Sequence, residues 1–526
     1  MNTELKPFRG LRPFFSLPAL FVSSLSAFLV LDIAPALWPS LPSLTNFTIL
    51  LEGIITTQLI MAWFAAHGRF PAGQALLLTA LFALRLSYRS YLDPDAAWGL
   101  RSGNVQNPVL GVLWFGLGTL ALHPSVYAYV RQRCQAGFAW NRTTRNLALG
   151  GWLLLWAFLS WAMLSKNISR DGHDWILRTA KPEWTHYLRE PFTIGLYRLT
   201  YLLGQTVMDW STDQTIALLS ILAGVWGFYW YHRILLEMYP DLFSRILGWS
   251  AALASGGMMV LFFGHIEVYP IFIATLLPTF YLVQRYFQGK IGILFPAGAF
   301  SIAFLFHLSA GWLLPAFILL PFLKQRSLAA WKDFFIFGLG FGGVQAIGWG
   351  GLLFYGYGGN VLYLLSVLYE NFFVGQDHAM FLPAWAIFHP LHLRDLLNEY
   401  IYLSAAGFFL FPFAVLVLMR KYNGEGWFYF ISVCGYAAYT LLWNPDRGFP
   451  EDWDLFSAIV PLLILFELRV LVRGESLGSA GPPVPDQRAK FVEAGREWVY
   501  IAALGTLPFS CSQIWYHHTV PFMMGD

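Results

Sequence analysis

The chain has 526 residues, of which 57% are hydrophobic and only 12% are charged. Soluble domains usually carry about 25% charged residues, so a soluble fold of this size is excluded. The net charge is only +3, and the Lys and Arg residues form no basic stripe, which excludes a nucleic-acid partner. Three scattered cysteines exclude a disulfide scaffold. Composition therefore predicts a polytopic membrane protein of the all-α class.

Long apolar runs recur along the chain from about residue 14 to about residue 512. Lipid offers no hydrogen-bond partners to an open backbone, so each run is expected to be a helix. The runs predict a helical bundle with about fifteen transmembrane helices of roughly 20 residues each. They fall into three parts: N-terminal transmembrane helices in 1–146, a transmembrane core in 147–471, and a cytoplasmic linker with a final transmembrane helix in 472–526.

Lys and Arg in short loops predict the orientation, because such loops stay in the cytoplasm. Basic residues precede the first apolar run and recur in nearly every second loop after it. This alternation predicts a multi-pass protein of the cell membrane with a cytoplasmic N terminus and an external C terminus. Three polar segments then fall on the outer face: 166–212, 356–397 and 444–454.

The first outer segment begins with two aspartates three residues apart, Asp171 and Asp174. They share one face if the chain turns helical after Gly172. A carboxylate that is partly desolvated at the membrane surface is suited to act as a general base. The same segment holds four candidates for binding a phosphate: Arg170, Arg178, Lys181 and Arg189. The alternative is an amphipathic loop helix with solvated charges.

A short turn between two apolar runs, residues 264–270, carries His265 and Glu267. At the outer edge of the hydrocarbon an ionisable side chain needs a partner or a function. The local alternative is that the two residues pair with each other or cap the next helix. His307 reaches the same level, and its local alternative is a packed, hydrogen-bonded helix end.

The third outer segment, 444–454, holds four acids, one arginine and two prolines. The prolines predict a rigid turn. Asp452 and Asp454 have the spacing of a loop that coordinates a hard divalent ion, and they are equally suited to cap the following helix. Asp446 and Arg447 add charge to the same face.

Signatures of soluble enzymes are missing from the sequence. It has no P-loop, dinucleotide fingerprint or nucleophile elbow in a useful place, and segment 356–397 has no HExxH pattern. No nucleotide cofactor is expected. A divalent ion at Asp452 and Asp454 is the one cofactor candidate.

The order of these features resembles the integral-membrane glycosyltransferases of the GT-C superfamily, which include protein mannosyltransferase-like and aminoarabinose transferase-like enzymes. In that family one or two acids come early in the first large outer loop, before a juxtamembrane helix and a multi-helix bundle. Here Asp171 and Asp174 stand at the acid positions, and 197–205 matches the juxtamembrane helix. The run 448–456 is similar to a motif of bacterial members. The resemblance covers 147–471.

The resemblance implies a polyprenyl-phosphate-linked sugar as donor, presented at the outer face among the membrane lipids. It also implies that an Asp takes a proton from an acceptor hydroxyl, which attacks the anomeric carbon with inversion. Basic residues or a metal stabilise the leaving phosphate, and His265 and His307 join the four basic residues in this role. The remaining charged residues of the outer-face site are Glu267, Asp446, Arg447, Asp452 and Asp454. The acceptor is left open between a glycan, a lipid and a protein.

The sequence departs from the family in one respect. The acidic loop usually follows the first helix, whereas several predicted helices precede it here. Either 1–146 is an added module, or the acids are Asp93 and Asp95 in the earlier segment 89–106. We favour Asp171 and Asp174 because their loop is longer and holds basic residues suited to a phosphate.

Two other functions compete with a transferase. A transporter or a lipid or glycan flippase would place ionisable residues near the bilayer midplane, often beside paired broken helices. The candidates are few (Asp32, Glu52 and Arg85), and no such pair of broken helices is evident. The third function is a non-catalytic subunit of cell-envelope synthesis. The charge density on the outer face favours the transferase.

Overall fold

A computed structural model describes most of the chain. The described residues are 45–86, 116–136, 142–166, 168–181, 190–354, 384–420, 423–443, 452–472 and 485–519, with the positions 16–18, 20, 22, 24 and 382. Every regular element in these segments is a helix, which confirms the predicted all-α class.

Several described segments are long and apolar enough to cross a membrane. There are four, or five if one bent helix pair counts as a single span. They are Leu50–His67, Leu328–Leu352, Pro390–Arg420 and Trp453–Val472, and the bent pair is Leu242–Leu253 with Gly256–Phe262. The chain is therefore a membrane protein. The count of about fifteen spans, the orientation of the termini and the three-part division stay predictions.

The N-terminal helices are α1 (Thr45–His67), α2 (Ala72–Leu86), α3 (Leu117–Ala121) and α4 (Pro124–Gln135). Trp63 of α1 is buried, and its indole Nε1 donates to the carbonyl of Leu122 at 3.1 Å. A buried indole N–H needs such a partner. This hydrogen bond ties α1 to the connection between α3 and α4.

The first half of the core consists of helices that precede and surround the turn 264–268. They are α5 (Arg142–Ala162), α6 (Arg170–Ala180), α7 (Pro191–Met208), α8 (Thr212–Met238), α9 (Leu242–Leu253), α10 (Gly256–Phe262) and α11 (Tyr269–Phe287). α8 packs against α5, α6, α7, α10 and α11. Its buried small residues, among them Gly224 and Gly227, let the neighbouring helices approach closely.

The second half of the core completes the bundle. Its helices are α12 (Leu294–Phe306), α13 (Leu314–Lys324), α14 (Leu328–Leu352), α15 (Ala384–Ile387), α16 (Pro390–Arg420), α17 (Gly424–Leu442), α18 (Ile459–Glu467) and α19 (Pro485–Thr519). Two 3-10 turns (Leu308–Leu313 and Trp453–Phe456) and a π turn (Leu468–Val472) join neighbouring helices.

Two described membrane helices are broken, which the sequence did not predict. α9 and α10 meet at an angle of 78° across residues 254 and 255. α16 is interrupted at Ser404, whose backbone has φ −159° and ψ 85°. At the first bend Ser255 is followed by two glycines, a combination that commonly kinks helices, whereas Ser404 is neither a proline nor a glycine and composition gives little sign of its break.

α19 connects the N-terminal helices to the core. Near its start, Glu497 accepts from Gln74 at 2.6 Å and lies 3.0 Å from His67 Nε2. Tyr500 donates to the carbonyl of Ala121 at 2.6 Å. The same helix packs against α9, α10 and α16 in the core. One helix therefore contacts both parts of the molecule.

Candidate active site

The turn 264–268, between α10 and α11, forms the centre of the candidate site. It begins at Gly264, whose φ of +77° is a conformation that other residues rarely adopt. Side chains from two helices hold its carbonyls: Ser220 of α8 donates to His265 O at 2.8 Å, and Tyr197 of α7 donates to Glu267 O at 2.6 Å. The turn is thus fixed from both sides.

The start of α6 docks directly on this turn. Ser169 caps α6 by accepting from the N–H of Gly172 at 2.8 Å, and its hydroxyl donates to Glu267 Oε1 at 2.6 Å. Trp175 donates to Glu267 Oε2 at 3.0 Å. Gly172 permits the approach, because a Cβ there would lie 2.8 Å from the carbonyl oxygen of Ile266. The site therefore requires a residue without a side chain at position 172.

The two aspartates of α6 occupy different surroundings. Asp171 is half-buried, and its charge acts on both Glu267 and Asp454. The Asp174 side chain is 47% exposed and lies 4.0 Å from Arg178 Nη2, one turn along the same helix. The solvated-charge alternative thus describes Asp174, whereas Asp171 belongs to a cluster of acids.

A second turn brings Asp452 and Asp454 to the same place. Both are buried, and Asp454 Oδ2 lies 3.4 Å from His265 Nε2. Asp452 stands at the N-terminal cap of the 3-10 turn but makes no capping hydrogen bond with its side chain. His265 pairs with Asp454 rather than with Glu267, its neighbour in sequence. The structure thus joins side chains from three predicted segments.

Glu399 of α16 is a member of this cluster that sequence reasoning missed. It is fully buried, and the charges of Asp454 and Asp452 act on it. Neither of its carboxylate oxygens has a hydrogen-bond partner among the described residues. A lone acid at the edge of an apolar run was the available signal, but nothing local connected it to the acids of other segments.

His517 of α19 is a second residue that the sequence did not reveal. Its Nε2 lies 2.5 Å from the hydroxyl of Tyr402, and its ring centroid lies 5.6 Å from that of Trp453 and 6.0 Å from that of His265. The carbonyl of His517 accepts from the N–H of Lys166. The end of α19 therefore forms one wall of the site.

A second polar centre lies around His307. The N–H of Ser309 donates to His307 Nδ1 at 3.1 Å, so Nδ1 is an acceptor and Nε2 carries the proton of a neutral ring. Nε2 lies 3.3 Å from Glu190 Oε1. The ring stacks on Phe272 with centroids 4.9 Å apart. His307 is thus packed and hydrogen-bonded at the end of α12, as its local alternative predicted, and the carboxylate of Glu190 lies beside it.

Burial controls the protonation of two enclosed groups outside the spanning helices, Glu267 and His517. Burial raises the pKa of Glu267 well above its usual range, and the charges of Asp454 and Asp171 raise it further, whereas hydrogen bonds from Ser169 and Trp175 lower it. Burial lowers the pKa of His517 to about 3, and the nearby His265 adds to this effect. The site thus favours neutral forms at both positions.

The predicted phosphate ligands are spread over the site and beyond it. Arg178 and Lys181 lie at the far end of α6, about 10 Å and about 15 Å from Asp171 along an ideal helix axis, and Lys181 is exposed. Of Arg170 the structure describes only the backbone, at the start of α6. Arg189, Asp446 and Arg447, with Asp32, Asp93 and Asp95, lie outside the described residues. Within the described segments, no group of three or more His, Cys, Asp or Glu side chains is arranged to hold a metal.

Comparisons with known proteins identify distant structural similarity only. No family model and no curated protein matches the sequence. The apo structure of ArnT from Cupriavidus metallidurans is similar over 72% of this chain and 77% of that chain, at 12% identity and a TM-score of 0.45. ArnT from the same organism bound to undecaprenyl phosphate is similar over 72% and 78%, at 13% identity and a TM-score of 0.43. The function is therefore inferred from the site itself.

Proposed function

We propose that this protein is a membrane glycosyltransferase of the GT-C type, which moves a sugar from a polyprenyl-phosphate-linked donor to an acceptor at the outer membrane face. The observation that supports it best is the meeting of Asp171, Glu267, Asp454 and Glu399, contributed by four separate segments of a membrane helical bundle. Such a concentration of acids is costly unless it serves binding or chemistry.

In this proposal Asp171 is the general base. It takes the proton of the acceptor hydroxyl, the oxygen forms a bond to the anomeric carbon, and the bond from that carbon to the phosphate oxygen breaks. The bonding electrons leave with the lipid phosphate. Asp171 is the only one of the two predicted aspartates within the acid cluster, and its half-buried position leaves it open to a substrate.

The remaining residues have supporting parts in the proposal. Glu267, held by three donors around its carboxylate and carbonyl, fixes the wall facing Asp171. His265 and His307 are candidates for the donor phosphate, as are Arg170, Arg178, Lys181 and Arg189 along the first outer segment. Asp174 lies with Arg178 at the exposed face. Asp452 and Asp454 are the candidates for a divalent ion.

The transporter alternative receives less support from the charges first considered for it. Arg85 Nη2 donates to Glu52 Oε1 at 2.9 Å, and its Nη1 donates to Thr119 Oγ1 at 2.8 Å. Two of the three intramembrane candidates thus neutralise each other. A paired charge is less suited to carry an ion or a substrate than an unpaired one.

The proposal is tested with purified protein in lipid nanodiscs, supplied with polyprenyl-phosphate-linked sugars and a panel of acceptor glycans, lipids and peptides. Asp171→Asn should lower the transfer rate by about 10²–10⁴-fold, while the matched variant Asp174→Asn should retain most of it. Asp171→Asn at near wild-type rate would reject the assigned base. Absence of transfer with every donor, combined with carrier movement across the bilayer, would reject the enzyme in favour of a flippase.

A further inference from the structure

The last turns of α8 and α11 form a donor cluster, which consists of Tyr229, Trp230, Arg233, Tyr281 and Arg285. Arg233 Nη1 donates to the hydroxyl of Tyr229 at 3.1 Å, and its Nη2 donates to the hydroxyl of Tyr281 at 3.1 Å. Arg285 Nη1 donates to the same Tyr281 hydroxyl at 3.1 Å. Arg233 lies about 20 Å along an ideal helix axis from Ser220, which contacts the candidate active site. The donor cluster is therefore a separate feature at the opposite end of the bundle.

The hydroxyl of Tyr281 has a hydrogen left to donate. A tyrosine hydroxyl carries one hydrogen, and both arginines donate to the oxygen of Tyr281, so neither bond uses that hydrogen. The hydroxyl of Tyr229 likewise accepts from Arg233. The ring of Trp230 lies 5.1 Å from that of Tyr281. Two buried N–H groups, Trp230 Nε1 and Arg285 Nε, have no hydrogen-bond partner among the described residues. The cluster thus has donors to spare and lacks an acceptor for them.

The charges around the donor cluster do not balance. Glu237 is the one acid that contacts it among the described residues, and both carboxylate oxygens are already occupied. Oε1 lies 3.0 Å from Arg285 Nη1, and Oε2 lies 2.5 Å from Lys290 Nζ. The guanidinium of Arg233 contacts tyrosine hydroxyls but no carboxylate in the described part of the chain. One acid therefore faces three cations, and the excess positive charge calls for an anion from outside the chain.

An exposed apolar surface of α8 leads to the donor cluster. Leu222 is 49% exposed and Trp226 is 50% exposed. They stand eleven and seven residues before Arg233, and helical positions with this spacing share one face. The ring of Trp226 lies 6.3 Å from that of Tyr229 and 5.5 Å from that of Trp230, so it adjoins the cluster directly. A lipid would use both this apolar surface and the donors, whereas a free phosphate ion would use only the donors.

We propose that Arg233, Tyr281 and Arg285 bind the headgroup phosphate of an anionic phospholipid, whose acyl chains lie along Leu222 and Trp226. The phosphate oxygens accept from the arginines and from the unused hydroxyl hydrogen of Tyr281. A zwitterionic lipid fits less well, because it would bring an ammonium group to a site that already has an excess of positive charge. Basic sites between membrane helices are suited to bind anionic headgroups.

The first test uses the purified wild-type protein in detergent. Phosphatidylglycerol or phosphatidylcholine with the same acyl chains is added at equal mole fraction. Lipid binding is measured by native mass spectrometry, and the unfolding temperature is measured for the same samples. We expect phosphatidylglycerol to bind more tightly and to raise the unfolding temperature by a few degrees more than phosphatidylcholine does. Inorganic phosphate is the probe for a free ion and should produce no comparable rise.

The variants test the location of the site. Arg233→Gln removes a charged donor, and Tyr281→Phe removes only the hydroxyl. Each should weaken the binding of phosphatidylglycerol at least about 10-fold, because each loses a hydrogen bond to a charged group. The matched controls are Arg420→Gln, at an exposed arginine that ends α16, and Tyr129→Phe, at an exposed tyrosine of α4. The two lipids are compared within each variant, so that a loss of stability caused by the substitution alone cancels.

Four results would overturn the inference. One is equal binding of the two lipids by the wild-type protein. Another is an undiminished preference for phosphatidylglycerol in both Arg233→Gln and Tyr281→Phe. The third is an equal loss of preference in Arg420→Gln, which would show a general effect of surface charge. The fourth is an equal rise in unfolding temperature with inorganic phosphate, which would show a free-phosphate site. None of these measurements requires sugar transfer, so the lipid site and the transferase succeed or fail separately.

Discussion

The hydroxyl of Ser169 and the carboxylate of Glu267 meet at 2.6 Å, and the same hydroxyl caps α6. The Ser169 side chain therefore caps the start of α6, the helix that carries Asp171. It also holds Glu267 in the turn 264–268. Because Ser169 makes both contacts, the stability of α6 is coupled to the position of the Glu267 carboxylate.

We expect Ser169→Ala to show this coupling. Loss of an N-cap lowers the free energy of unfolding by about 0.5–2 kcal/mol, and loss of the donor to Glu267 should reduce transfer as well. Asn423→Ala removes a comparable cap, since Asn423 accepts from Gly426 N–H at 3.1 Å at the start of α17, away from the acids. Thermal unfolding and transfer rate are measured for both. Equal loss of transfer in the two variants would contradict the coupling.

Glycine 172 should not tolerate a methyl group. In an unhindered helix, Gly→Ala raises stability by about 0.5–1 kcal/mol. At position 172 the new Cβ would press against the carbonyl oxygen of Ile266, so Gly172→Ala should instead lower the unfolding temperature and the transfer rate. Gly150→Ala in α5, where nothing lies within 4 Å, should be neutral or stabilising. A stabilised Gly172→Ala protein would show that α6 does not dock on the turn.

The buried His517 predicts an acid-sensitive stability. Its pKa is about 3 in the folded protein and about 6.5 in an unfolded chain, so the unfolded state binds more protons between these values. Stability from this group is present above pH 6.5 and is lost as pH falls toward 3. His517→Gln should flatten this part of the pH profile of the unfolding temperature, whereas His518→Gln, on the same turn, should not. Identical profiles for wild type and His517→Gln would refute the assignment.

The orientation is tested by labelling single cysteines. After Cys134, Cys434 and Cys511 are replaced by serine, Ala180→Cys should react with an impermeant thiol reagent added to intact cells, and Ala136→Cys should react only after lysis. Both positions are exposed, so access depends on the side of the membrane. The reverse pattern would move the acid cluster to the cytoplasmic face.

Sequence patterns were sufficient for the helical class and for most of the individual acids. Asp171, His265, Glu267 and Asp454 were each noted as residues of the outer face, and the structure brings them together. These residues are spread along the chain from 171 to 454, so no local sequence pattern could predict that their side chains meet. Glu399 and His517 were missed for the same reason: each stands at the end of an apolar run, and nothing near it in the sequence connects it to the acids. The break at Ser404 was missed because no proline or glycine stands at that position.

The long helix α19 has a consequence for how the protein is made. It is synthesised after every other described element, yet it supplies His517 to the site, Gln513 Nε2 to the carbonyl of Tyr402 at the break in α16, and Glu497 to the N-terminal helices. A nascent chain that already carries Asp171 and Asp454 lacks this wall. For the proposed transferase, we therefore expect no transfer before α19 has docked, because only then is the wall of the site complete.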